Sequence, residues 1–119
     1  MLGTNDCKSI YRATAREIAA GMENCLFALE KYIRPKDILL ISPILLGNKI
    51  AEKDADFDET SIATCAELKK SYQTLAASHG TRFLAASDVA KADEKDDEHL
   101  NADGHYALFL ATLDILKDM

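Results

Sequence analysis

The sequence predicts an α/β fold built on a doubly wound parallel sheet, and three observations carry that reading. Short unbroken apolar runs alternate with longer segments of helical period, which is the order of successive βαβ units. The run Ile38-Leu39-Leu40-Ile41 shows no polar alternation, as expected of a parallel strand covered on both faces. A capping box, Thr14-Ala15-Arg16-Glu17, fixes where the first helix starts, because the Thr hydroxyl and the Glu carboxylate each satisfy a backbone N–H that the helix leaves unpaired.

Met1-Leu2 has the character of the last two residues of a buried strand, and Gly3-Thr4-Asn5-Asp6 that of the loop leaving it. Residues 7–13 make a short connection. From Thr14 onward, Ile18, Met22, Cys25, Leu26, Leu29 and Ile33 recur at helical spacing until Arg34-Pro35 stops the helix, giving one stripe to pack on the sheet. After the strand at 38–41, the segment from Ile44 to Thr60 has no regular period, contains Gly47-Asn48 and is rich in Asp and Glu. It is expected to be a long loop with a function of its own. A second helix runs from about Ser61, with Ile62, Cys65, Leu68, Tyr72 and Leu75 on its apolar side, and closes at Gly80. Residues 82–86 form a second short strand. A charged loop from Asp93 to His99 follows, and Asn101 caps a last helix whose apolar surface comes from Leu108, Leu113, Ile115 and Leu116. Two strands and a two-residue stub leave one edge of the strand at 38–41 without a partner, so the sequence predicts further strands beside it.

The 119 residues suit one small domain spanning 1–119. A net charge of -6 without clustered Lys or Arg argues against a nucleic-acid partner. No apolar run approaches the roughly 18 residues that span a bilayer, and no basic-then-apolar leader is visible, so no membrane partner is expected and the cytoplasm is the default location. The three cysteines, Cys7, Cys25 and Cys65, lack C-x-x-C spacing. They are expected to be reduced thiols, with Cys25 and Cys65 in the core.

In open parallel sheets, ligands bind beyond the carboxyl ends of the strands. Three polar clusters fall there: Gly3-Thr4-Asn5-Asp6, Ser42-Pro43 and the loop Asp96 to His99. Asp96 and His99 are spaced so that the carboxylate can hold the imidazole, fix its tautomer and support its charge when it takes a proton. By spacing alone, an acidic loop with one His is more often a solvated surface, and Asn5-Asp6 more often a plain turn. His105 opens the last helix and suits packing or capping, and His79, beside Gly80, suits the dipole at a helix end. Cys7 stands near Asn5 without an activating neighbour, which disfavours a thiol nucleophile. The carboxylates Asp93, Asp96, Asp97 and Glu98 lack the alternation and glycine of a calcium loop.

Leu2-Gly3-Thr4-Asn5-Asp6 resembles the G-x-N-D block, and Asp96-Asp97-Glu98-His99-Leu100 the D-x-x-H block, of the SGNH (GDSL-like) hydrolase family. The resemblance runs the length of the chain, through Gly21-Met22, Ile41-Ser42-Pro43 and Gly104-His105, and is nearest to the arylesterase and acyltransferase branch. It implies a flavodoxin-like three-layer α/β/α sandwich and a Ser-His-Asp esterase acting on small aryl or alkyl esters through an acyl-enzyme. In that picture His99 is the base, Asp96 orients it, Asn5 supplies an oxyanion-hole donor, and no metal or organic cofactor is required. The family's G-D-S block and its second, glycine-bearing block are both absent. The chain therefore corresponds to the C-terminal portion and is expected to be inactive alone. Asp97 stands where the family commonly has Gly, which either alters the turn or adds surface charge.

Ile44-Leu45-Leu46 are expected to line an acyl pocket, with Ile44 and Leu45 as substrate-binding candidates, while the rest of the 44–60 loop covers the site or meets a neighbouring subunit. The open sheet implies a partner: a separate N-terminal segment that completes it, or self-association into a homo-oligomer along the strand at 38–41. The alternative to an esterase portion is a non-catalytic interaction module with a degenerate SGNH fold, and a generic flavodoxin-like binding domain comes third.

Overall fold

The computed structural model describes all 119 residues. Two short 3-10 turns, Asn5–Cys7 and Ser9–Tyr11, lead into helix α1, Ala15–Glu30. Its start is the capping box read from the sequence: Glu17 N–H donates to Thr14 Oγ1 at 3.2 Å, and Thr14 N–H donates to Glu17 Oε2 at 2.8 Å. Strand β1 is Leu39–Ser42, α2 is a single turn at Ile50–Lys53, α3 is Glu59–His79, β2 is Arg82–Ala85 and α4 is Ala102–Lys117. Asp58 caps α3 by a second reciprocal box with Ser61, and Gly80 ends it in the left-handed conformation.

β1 and β2 pair in parallel, Leu39 opposite Arg82 through Ser42 opposite Ala85, with α3 as the crossover between them. α3 lies on both strands and α1 packs against α3. The core fills that space: Ile18, Met22 and Leu26 of α1 meet Cys65, Leu68, Tyr72 and Leu75 of α3, with Leu40 beneath. This is an α/β arrangement around a two-stranded parallel sheet.

Several expectations change. Met1-Leu2 is not a strand and makes no pairing with β1; its one anchor is the Tyr72 hydroxyl, which donates to the Leu2 carbonyl at 3.1 Å. Two residues offer too few ladder bonds to form a strand without a neighbour on the far side. α1 stops at Glu30, four residues before Arg34-Pro35, which leaves Ile33 outside the helix, and both Leu29 and Ile33 of the predicted stripe are exposed. Cys25 is exposed as well and is not core, whereas Cys65 is. The segment from Ile44 to Thr60 is less loose than its composition implied, for it holds α2 and buries Ile44, Leu46, Ile50 and Phe57. α4 has no extensive packing partner, and Tyr106, Phe109, Leu110 and Leu116 face outward. No helix is long and apolar enough to cross a membrane.

Candidate active site

The loop at residues 3–6 owes its shape to Gly3, whose φ of +133° lies in a region that side chains avoid. A Cβ there would also come within 2.9 Å of Tyr72 Oη and 3.0 Å of Leu68 Cδ1. The loop is held from below: Asp6 N–H donates to Gly3 O at 3.1 Å, and the Cys7 thiol donates to the same oxygen at 3.4 Å. Burial keeps the Tyr72 phenol well above its usual pKa, so it remains a neutral donor to Leu2.

Opposite stands the turn from Asp93 to His99. Asp93 N–H donates to His99 O at 2.7 Å and Asp97 N–H to Asp93 O at 2.8 Å, which closes the turn on itself. Inside it, Asp96 Oδ1 accepts the backbone N–H groups of Glu98 and His99, both at 3.0 Å, and Oδ2 meets His99 Nδ1 at 2.7 Å. The His99 N–H, then that of Glu98, stabilise the carboxylate and lower its pKa to about 2. In return the bond to Asp96 raises the His99 imidazole above its ordinary value. With Nδ1 directed at Asp96, the favoured neutral tautomer leaves the Nε2 lone pair available to accept a proton. His99 is 72% exposed at its side chain, so Nε2 is accessible.

The two loops face each other across a cavity of about 320 Å³ lined by Gly3 to Asp6, Ile44, Glu98, His99, Leu100 and His105. Asn5, Asp96 and His99, separated by more than ninety positions of chain for the outer pair, are thus gathered at one end of the molecule. Ile44 belongs to this wall. Leu45 is 48% exposed and lies outside the lining, and Leu46 points into the core. Ser42 is fully enclosed and its hydroxyl has no partner. Cys7 lies with Cys65 in the core; the neighbouring Cys65 first, and burial second, hold the Cys7 thiol far above its usual pKa and make it a poor nucleophile. A larger groove of about 940 Å³, between Lys8–Ala15 and the start of α3, contains no histidine. Sequence reasoning missed Glu98, Leu100 and His105 as lining residues. Glu98 is a variable position inside the recognised block, and burial raises its carboxyl pKa.

Solved structures similar to this chain include esterases. A carbohydrate acetylesterase from Sinorhizobium meliloti superposes with a TM-score of 0.89 at 30% identity, over 99% of this chain and 58% of its own. The chain matches the C-terminal portion of the SGNH hydrolase fold. The native aryl esterase of M. smegmatis agrees with a TM-score of 0.85 at 26% identity, again over 99% of this chain and 58% of that one. A further carbohydrate acetylesterase family member from Sinorhizobium meliloti gives 0.77 at 25%, over 98% and 60%. The chain therefore spans less than two thirds of the length of these SGNH structures. No family model matches the sequence, and no curated protein matches it either.

Proposed function

We propose that residues 1–119 form one unit that carries the proton-transfer half of a serine esterase site, with His99 as general base, Asp96 as its orienter and Asn5 as an oxyanion donor. The observation that carries this reading is the 2.7 Å bond from Asp96 to His99 Nδ1 at the rim of the cavity that Asn5 and Ile44 also line. A serine from outside the chain would attack the ester carbonyl as its proton passes to His99 Nε2. Asp96 balances the imidazolium, and the Asn5 amide donates to the oxyanion of the tetrahedral intermediate. As that intermediate collapses, His99 returns the proton to the departing alkoxide or phenoxide, leaving an acyl-enzyme that water or an alcohol then attacks. Small acyl groups on aryl, alkyl or carbohydrate alcohols fit a cavity of this size, with Ile44 against the acyl chain.

The test is a fusion. The 119-residue chain by itself should hydrolyse no aryl acetate above background. Joined behind the serine-bearing N-terminal portion of the Sinorhizobium acetylesterase, it should do so, and His99→Ala should abolish the gain. Retention of the fusion's activity in His99→Ala would overturn the assignment. The second reading, a non-catalytic interaction module, draws on the outward-facing Tyr106, Phe109 and Leu110 of α4. It predicts a fusion that folds and stays inactive.

A further inference from the structure

Asp97 differs from the rest of its turn. Its side chain is 12% exposed, against 72% for that of His99, and its φ is +57°. A left-handed backbone at a residue other than glycine is strained, and a buried carboxylate is costly unless it is paired. Both costs are met by one neighbour, the segment leaving β1. Asp97 Oδ2 accepts the Lys49 N–H at 2.9 Å, Oδ1 pairs with Lys53 Nζ at 3.1 Å, and the Asp97 carbonyl accepts the Gly47 N–H at 2.8 Å. A Cβ on Gly47 would overlap the Asp97 carboxyl, so the approach requires glycine there. The substitution of Asp for the family's usual glycine thus adds no surface charge; it puts a carboxylate inside.

We propose that Asp97 is a positioning residue that latches the Asp96–His99 turn to the Gly47–Lys53 segment, and so fixes His99 relative to Ile44 on the opposite wall of the cavity. The inference rests on the esterase reading of His99 and adds to it a determinant of how base and acyl-facing wall are held in register. A buried ion pair often contributes little net stability, and its use is then to select one geometry. Here it joins residues nearly half the chain apart, which no local hydrogen bond of the turn could do.

Histidine and amide NMR on the full 119-residue chain tests the latch with no ester present. Asp97→Gly keeps the left-handed turn and removes the carboxylate. Exchange of the Lys49 amide should then quicken by about tenfold or more, as expected when a protecting bond is lost. The Ile44 methyl resonances should move, and the pKa of His99 should fall toward the ordinary value of about 6.5 as its hold on Asp96 loosens. Asp97→Asn, which keeps an acceptor for Lys49, should give a smaller change in the same direction. If His99 titrates as in wild type and Ile44 does not move, the latch is wrong, whatever happens to overall stability. Should Asp97→Gly fail to fold, Asp97→Asn and Lys53→Met decide the matter by the same readout. Because hydrolysis is never measured, this failure would leave the esterase reading standing.

Discussion

At the scale of single residues, the proposed site would depend on donors and acceptors aimed before substrate arrives. Asn5 is exposed on a loop whose backbone is fixed by Gly3 and Tyr72, so its amide is presented without a competing bond to its own chain. In the fusion, Asn5→Ala should lower kcat for aryl acetate by about a hundredfold, the usual effect of removing one oxyanion donor. Rates within about twofold of the parent would remove Asn5 from the mechanism. The pH profile has a definite sign. A base must be neutral to act and the His99 pKa is raised by Asp96, so the rising limb of kcat/KM should lie above the ordinary histidine value. Asp96→Asn should move that limb to lower pH, measured on the same ester. Asn5, Asp96 and His99 were legible because they sit in short blocks whose spacing is local. Asp97 was not, since the residues that bury its carboxylate lie 44 to 48 positions earlier and nothing in its own turn announces them.

At the scale of elements, α1 and α3 are each begun by a reciprocal cap and then tied together at their far ends. The Thr14 and Asp58 caps were differently visible: Thr14-Glu17 is a familiar pattern, while Asp58-Ser61 uses a serine in the reaching-back position and stood inside a stretch expected to be loop. Asp58→Ala should cost about 1 kcal/mol of stability in urea unfolding, the usual loss for a helix cap. The tie is His79, in the last turn of α3, whose Nε2 lies 3.0 Å from Glu23 and Nδ1 2.6 Å from Glu30, both on α1, with Phe27 against the ring. Glu23 first, and then Glu30, raise its pKa. The charged imidazolium is therefore favoured by folding. That contribution is fully present below the unfolded value of about 6.5 and disappears as pH rises through the higher folded value. Wild-type Tm should accordingly fall between neutral and alkaline pH more than that of His79→Gln. Equal pH dependence in the two proteins would show that the clamp does not act this way.

At the scale of the whole molecule, the sheet has two strands and both of its edges are open. β1 and β2 pair only with each other, so each presents an outer row of backbone N–H and C=O groups. The sequence made that legible, because Ile38 to Ile41 is too apolar for a strand at a wet edge. The exposure of α4 was not legible: helical period shows that Leu108, Leu113 and Leu116 share a character, but it cannot show whether anything lies across from them. Both features lead to one expectation. An unpaired strand edge is a template for a second chain, exposed apolar surface on α4 adds to the tendency to associate, and neither charge nor proline lies within β1. Sedimentation velocity on the 119-residue chain should therefore show species larger than a monomer at tens of micromolar, roughly the range in which exposed edges and apolar surface associate. Fusion to the part of the Sinorhizobium acetylesterase that this chain does not span should return it to a smaller, defined species if strands of that part take the edge that the copies would share. A chain that stays monomeric throughout and unfolds in one cooperative step would mean that α1, α3 and two strands suffice, and that the open edge has no partner to find.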